Sequence, residues 1–354
     1  MKIVFYSDVH FSTYSSILRK RGSHYSVRLE SCINSVGWAE DYAEQIGADL
    51  IVIGGDFFDR SDLNAEELTA LKEIYFSQKL PHIALIGNHE MKTRDRTLTS
   101  AHLFQTLQGS FDVVDMPYSF EDKKSSSPVN LVFLPYIEPS EIKPFSEYLP
   151  KNSLPTVVFS HNDIAGIQMG RYVSKEGFQI KEIEDNCNLF INGHLHNGAY
   201  LNHKKTLLNV GNLTGKDFGE DGFLHKHQLA VIDTDTLTVE LVDNPYAIYF
   251  YKIELEEKFS PENLLKKLST CAEKCCLTIK VNSDDVQSVR QLVDTLPKVI
   301  NYRLIATNAH GETPIATDVA PTFASIDHIQ TFKAYVLIQL GDAEILQKEL
   351  QELV

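Results

Sequence analysis

The sequence predicts an α/β fold followed by a smaller α+β unit, on three observations. Short β-branched or aliphatic runs alternate with longer helical segments, motifs rich in Asp, Asn and His follow several of those runs, and the rhythm changes beyond Asn244-Pro245. Alternation of this kind implies sheets layered with helices around a buried core.

The runs are Lys2 to Ser7, Leu50 to Ile53, His82 to Ile86, Leu131 to Leu134, Thr156 to Phe159, Leu189 to Ile191 and Leu207 to Val210. Arg28 to Ile46 places Leu29, Ile33, Val36, Ala39, Tyr42, Ala43 and Ile46 three and four apart, which predicts a core-packing helix. Glu66 to Phe76 repeats the pattern through Leu68, Leu71, Ile74 and Tyr75, completing a strand, helix, strand, helix, strand series. The polar SFEDKKSSS stretch between Pro117 and Pro128, and the Pro-rich span from Pro135 to Pro155, predict surface loops or insertions. Leu229 to Ile232 and Leu237 to Leu241 flank Asp233-Thr234-Asp235-Thr236 and predict a hairpin. A boundary after it divides a catalytic domain, 1–245, from a second domain, 246–354.

In the second domain, strands are expected at Ala247 to Leu255, Leu277 to Val281, Ile300 to Ala306 and Ala334 to Leu340. One helix is expected after Ser260-Pro261, with Ser260 as N-cap and Pro261 in the first helical position, and another from Asp285 to Leu296. Asp342 to Val354 carries an apolar stripe of Ile345, Leu346, Leu350, Leu353 and Val354, expected to pack on its own domain.

Composition narrows the function classes. The 354 residues are 43% hydrophobic and 23% charged, which excludes disorder along the whole chain. Lys and Arg total 33 against 48 Asp and Glu, a net charge of −15, which excludes a uniformly basic nucleic-acid-coating protein. Phosphate recognition must be local or metal-assisted. No apolar run reaches the roughly 18 residues of a spanning helix, and Met1-Lys2 leads directly into the first strand, so a cytoplasmic protein without membrane contact is expected. Cys32, Cys187, Cys271, Cys275 and Cys276 form neither a disulfide framework nor a CxxC pair. Cys271, Cys275 and Cys276 have helix-like spacing and are read as packing residues.

Five motifs stand at predicted strand ends: Asp8-Val9-His10, Gly54-Gly55-Asp56-Phe57-Phe58-Asp59-Arg60, Gly87-Asn88-His89-Glu90, Ser160-His161-Asn162 and Gly193-His194-Leu195-His196. Residues beyond the carboxyl ends of strands gather along one edge of an α/β sheet. Glycines before the ligand-type residues would allow the bends and close approaches this needs. Clustered there, unpaired Asp and His would be costly to desolvate without a cation. Asp8, His10, Asp56, Asn88, His161, His194 and His196 are too many ligands for one tetrahedral ion and suit two ions sharing a carboxylate. Carboxylate, amide and imidazole donors without thiolate favour Mn²⁺, Fe²⁺ or Zn²⁺.

In order and content, DVH, GGDFFDR, GNHE, SHN and GHLH resemble the calcineurin-like metallophosphoesterase superfamily, over Asp8 to His196. The resemblance implies a four-layer α/β/β/α sandwich with a smaller C-terminal α+β capping domain. It implies that Asp8, His10, Asp56 and His196 hold one ion and Asp56, Asn88, His161 and His194 the other, with Asp56 as the bridge. His89 would be catalytic, standing over the substrate to stabilise charge or protonate the leaving oxygen. Asp59 and Arg60 would either orient a ligand or form a surface ion pair.

Within the superfamily the chain looks most like SbcD-type DNA exonuclease subunits, including short phage forms. That likeness implies two divalent ions, Mn²⁺ foremost, DNA as substrate, a second domain that caps the site and meets DNA, an SbcC-type ATPase partner and a homodimer through the first long helix. Glu90 stands where many members have Asp and is expected to matter little. The end of the chain at Val354 makes ATPase partnership less secure than nuclease chemistry. Arg19-Lys20-Arg21, Lys92, Arg94, Arg96, Lys204-Lys205, Lys216 and Lys226 follow the motifs and could meet DNA, although ordinary solvated lysines are the default for each. The alternatives are a phosphomonoesterase or cyclic-nucleotide phosphodiesterase on the same metal site, and a non-catalytic scaffold, which the intact set of donors disfavours.

Overall fold

Strand Lys2–Tyr6 shows how the layers form. Successive side chains on a strand point to opposite faces, so Ile3 and Phe5 enter one core while Val4 and Tyr6 enter another. The computed structural model describes residues 1–13, 24–107, 109–169, 172–255, 260–308 and 311–315.

Lys2–Tyr6 sits inside a six-stranded sheet, ordered Thr238–Asp243, Gln228–Asp233, Lys2–Tyr6, Leu50–Ile53, Pro81–Leu85 and Ser110–Val114. The last four run parallel, and the predicted hairpin adds Gln228–Asp233, antiparallel to Lys2–Tyr6, and the edge strand Thr238–Asp243. A second six-stranded sheet runs Ala199–Tyr200, Leu207–Asn209, Leu189–Asn192, Thr156–Ser160, Val129–Leu134 and Tyr118–Asp122, with its four inner strands parallel. The sheets pack face to face through Phe5, Val52, Leu85, Phe133, Phe159 and Ile191, with the Phe5 and Phe159 ring centroids 6.0 Å apart.

Helix Val27–Gln45, capped by Ser26, lays Leu29, Cys32, Val36, Ala39 and Ala43 on the outer face of the first sheet. Phe145, Phe178 and Ile183 cover the outer face of the second. These layers are the expected four-layer α/β/β/α sandwich.

Several elements differ from expectation, and long-range contacts explain them. The second helix is only Ala65–Leu71, opened by an Asn64/Glu67 capping box, rather than reaching Phe76. Beyond it Phe76 turns into an aromatic cluster with Phe57, Phe104 and Phe111, and the Ser77 N–H donates to the buried Glu40 carboxylate, 3.0 Å away. Part of the presumed loop after Pro117 is the edge strand Tyr118–Asp122, where Tyr118 and Phe120 stack on Phe133. Glu121 is exposed, as an edge strand tolerates, while the buried Asp122 accepts from the Lys124 N–H at 2.8 Å. Cys275 and Cys276 lie on a strand rather than a helix stripe, although both are buried packing residues.

A third sheet has four strands, Tyr249–Glu254, Cys275–Asn282, Val299–Asn308 and Gly311–Ile315, accompanied by helices Pro261–Ser269 and Val286–Val293. Ser260 caps the first of these helices by accepting from the Asn263 N–H. Contacts divide the chain after Ala316, and everything described belongs to the first part. The expected strand Ala334 to Leu340 and stripe Asp342 to Val354 lie outside the described residues. Among the described residues, no helix is long and apolar enough to cross a membrane.

Candidate metal centre

The carboxyl ends of the parallel strands are bonded side by side. The Asp8 N–H donates to Gly55 O and the His10 N–H to Asp56 O, each at 3.0 Å, while the Gly193 N–H donates to Ser160 O at 2.9 Å. Three further bonds reinforce this edge, two of them joining the sheets. His161 Nδ1 donates to Gly54 O at 2.6 Å, the His194 N–H to Asp8 Oδ2 at 2.9 Å, and Ser7 Oγ to the same Asp8 oxygen at 2.5 Å. A Cβ on Gly193 would collide with Ser7 Oγ, Gly54 O and Asp8 Oδ2, so only glycine permits this approach.

The bends themselves are made differently from expectation. Asp8, His10, Asp56 and His194 adopt positive φ of 52°, 46°, 48° and 74°, whereas of the four motif glycines only Gly55 does, at 93°. Non-glycine residues in this region carry about 1–3 kcal/mol of strain each, and such residues cluster at functional sites. Gly54, Gly87 and Gly193 serve close approach instead.

The donors fall into groups. Asp8, His10 and His196 form one, with His10 Nε2 3.0 Å from His196 Nε2 and 3.9 Å from Asp8 Oδ1. Asp56, His161 and His194 form another, with His161 Nε2 3.3 Å from Asp56 Oδ2. Asp56 Oδ2 is also 4.0 Å from His10 Nε2, so one oxygen faces both groups. Asn88 is held beside Asp56, because the N–H of the next residue, His89, donates to Asp56 Oδ1 at 2.9 Å.

Asp8 Oδ1, Asn88 Oδ1, His161 Nε2 and His194 Nδ1 are buried without a hydrogen-bond partner. Each such atom costs about 1–3 kcal/mol when left unpaired. Convergent orphaned donors of oxygen and imidazole nitrogen fit divalent cations, and two groups fit two of them.

The histidine tautomers are set from behind. A carbonyl oxygen can only accept, so Gly54 O keeps a proton on His161 Nδ1 and makes Nε2, facing Asp56, the nitrogen that gives up its proton to ligate a cation. Asp163 Oδ1 lies 3.3 Å from His194 Nε2, which leaves His194 Nδ1 free in the same way, and His10 Nδ1 lies between Asp59 Oδ1 at 3.0 Å and Lys216 Nζ at 3.1 Å. His89 donates from Nδ1 to Asp59 O at 3.0 Å.

Ionisation follows burial and charge. Burial opposes the charge on His161, but the Asp56 and Asp8 carboxylates overcome it and raise its pKa to about 9. Burial also works against Asp56, yet the neighbouring His161 and His10 hold its carboxyl well below the usual range. His10 and His196 are both lowered, chiefly by burial.

Sequence reasoning left some contributors unassigned. Asp163 directly follows the Ser160-His161-Asn162 motif, and Ser7 directly precedes Asp8, so adjacency was their only signal. Glu90 matters more than expected, since its carboxylate accepts from the Gly87 and Phe58 N–H groups at 2.7 and 3.1 Å, tying two ligand loops together. Burial and Asp56 push its pKa up to about 7. Asp59 lies within the cluster, while Arg60 pairs with the buried Glu67, 2.7 Å away.

Three of the basic residues are engaged elsewhere. Lys92 pairs with Asp62, Lys226 with Asp243, and Arg96 donates to Tyr136 O. Lys216 is not solvated but enters the cluster, 2.9 Å from Asp59 Oδ1. Arg19-Lys20-Arg21 lies outside the described residues.

The family model for calcineurin-like phosphoesterases matches residues 1–198. The chain belongs to that family. This calcineurin-like phosphoesterase is 28% identical over 159 residues to the protein named "Putative phosphoesterase 078R" of Invertebrate iridescent virus 3, covering 42% of this chain and 43% of that one. The match thus spans less than half the length of that curated relative. A solved dimetal phosphatase from Danio rerio is 13% identical, covers 65% of this chain and 91% of its own, and superposes with a TM-score of 0.35. The matched residues contain every donor of the two groups.

Proposed function

We propose that this phosphoesterase is a DNA nuclease, an exonuclease that also cuts internally, acting in repair, recombination or replication-linked processing. The convergence of two donor groups around Asp56, with four donor atoms orphaned, carries the hydrolytic part of the reading. The DNA part is supported by the order and content of the five motifs, which resemble SbcD-type subunits. In this reading Asp8, His10, Asp56 and His196 hold one ion and Asp56, Asn88, His161 and His194 the other, with Mn²⁺ the favoured metal.

When bound, two divalent ions supply Lewis acidity toward phosphoryl oxygens and a water acidic enough to attack near neutral pH. The chain supplies the rest. His89, its side chain 36% exposed, keeps its Nδ1 proton on Asp59 O and turns Nε2 toward substrate. As an imidazolium it donates a proton from Nε2 to the leaving oxygen. Asp59 and Asp163 stand behind the imidazoles of His10 and His194 and hold the rings in place. Residues 246–354 are proposed to border the site and contact DNA.

The test is one assay series with Mn²⁺-loaded protein on linear DNA, RNA, cyclic nucleotide, nucleoside monophosphate and p-nitrophenyl esters. Degradation of linear DNA is expected. Brisk turnover of monophosphates or cyclic nucleotides with intact DNA would replace the nuclease reading with the small-substrate one.

A further inference from the structure

A third group of potentially ligating atoms lies beside the two already described, formed by His10, Asp59 and His89. It already contains a cation. Lys216 Nζ lies 2.9 Å from Asp59 Oδ1 and 3.1 Å from His10 Nδ1, with its side chain 20% exposed. Asp59 Oδ1 is the anionic atom of this set, lying also 3.0 Å from His10 Nδ1 and 3.7 Å from His89 Nδ1.

The backbone around Lys216 is anchored on both sides. The Lys216 N–H donates to Glu220 Oε1 at 2.8 Å, and the Gly215 N–H to Ile248 O at 3.1 Å. Arg28 is 2% exposed, and its guanidinium donates to Gly215 O, to Val9 O at 2.8 Å and to His10 O at 3.3 Å. One buried cation thus ties the loop bearing Lys216 to the loop bearing His10, although 206 residues separate the two side chains. A long side chain loses about 2 kcal/mol of rotamer freedom when fixed. A solvated surface lysine would need none of these constraints.

We propose that Lys216 is a positioning residue, a built-in ammonium that occupies the His10, Asp59 and His89 pocket and holds the Asp59 carboxylate against His10 Nδ1. Held there, the carboxylate and the ammonium pin the His10 ring from its Nδ1 side, with Nε2 turned toward Asp8 and His196. Without the ammonium, Asp59 is free to rotate toward His89, and the His10 ring loses the contacts that fix its orientation. The effect belongs to the donor group containing His10. His161 takes its tautomer from Gly54 O and His194 from Asp163, neither of which Lys216 touches.

The inference rests on the two-ion reading above, and the two can fail separately. Calorimetric titration of EDTA-stripped protein with Mn²⁺ is expected to resolve two dissociation constants, with His196→Ala identifying the one that belongs to the His10 group. Lys216→Met should weaken that constant by about 10- to 100-fold, the usual range for partners behind a ligand, and leave the other unchanged. Lys216→Arg, which retains the charge, should recover most of the loss, and Lys216→Gln provides a second neutral variant should Lys216→Met fold poorly. Unchanged constants in the neutral variants would overturn the proposal. Equal weakening at both sites, with a lowered metal-free melting temperature, would also overturn it by showing a merely structural role. Wild type that binds no Mn²⁺ would refute the two-ion reading itself.

Discussion

Replacing Glu220 by Gln should stabilise the metal-free protein at pH 8 and do so far less at pH 5. Glu220 is buried, and its Oε1 accepts from Asn212 Nδ2 at 2.9 Å and from the Lys216 N–H at 2.8 Å. Its Oε2 has no hydrogen-bond partner and lies 3.7 Å from His227 Nε2. Burial raises the carboxyl from 4.5 to about 7 and lowers His227 to about 4, so the histidine carries no compensating charge. Below pH 4.5 the carboxyl is protonated whether folded or unfolded, and its titration contributes nothing. As pH rises from there to about 7, the unfolded chain ionises while the folded one resists, so stability falls and then levels off.

At about 1.4 kcal/mol per pH unit, the folded protein loses about 3 kcal/mol across that window. Glutamine keeps the Oε1 acceptor and carries no charge. It also places an amide nitrogen near His227 Nε2, which is free to accept because Nδ1 donates to Asn212 O. Urea denaturation of EDTA-treated wild type and Glu220→Gln at pH 5 and pH 8 measures the difference directly. A gap that does not change with pH, or a variant less stable than wild type at pH 8, would refute the reasoning.

Two further predictions concern the metal centre. Because Asp56 Oδ2 faces donors of both groups, Asp56→Ala should release both ions together, and elemental analysis finding two ions retained would refute the shared carboxylate. His89→Ala should keep both metals and lower kcat by about 10²- to 10⁴-fold, the range for a lost general acid; a variant with wild-type kcat would remove His89 from the chemistry.

The sequence alone indicated the alternating elements and the long first helix, and it placed seven candidate donors at strand ends, because these signals are local. Hydrophobic spacing records which face of an element is buried, and each motif sits within a few residues of a strand end. It misjudged elements whose form depends on distant partners. The helix stops at Leu71 because Phe76 and Ser77 answer to Phe104 and Glu40, and Tyr118–Asp122 is a strand because Phe133 lies beside it.

What tertiary structure alone decided is the surroundings of the donors. Nothing near Lys216 or Arg28 in the chain marks either residue, yet the fold brings an ammonium to His10 and a buried guanidinium to the two loops that meet there. The choice of which imidazole nitrogen keeps its proton belongs to Gly54 O for His161 and to Asp163 for His194, and the first of these contacts joins the two sheets. A tautomer depends on which acceptor lies within about 3 Å of a ring nitrogen, and that distance exists only once the chain has folded.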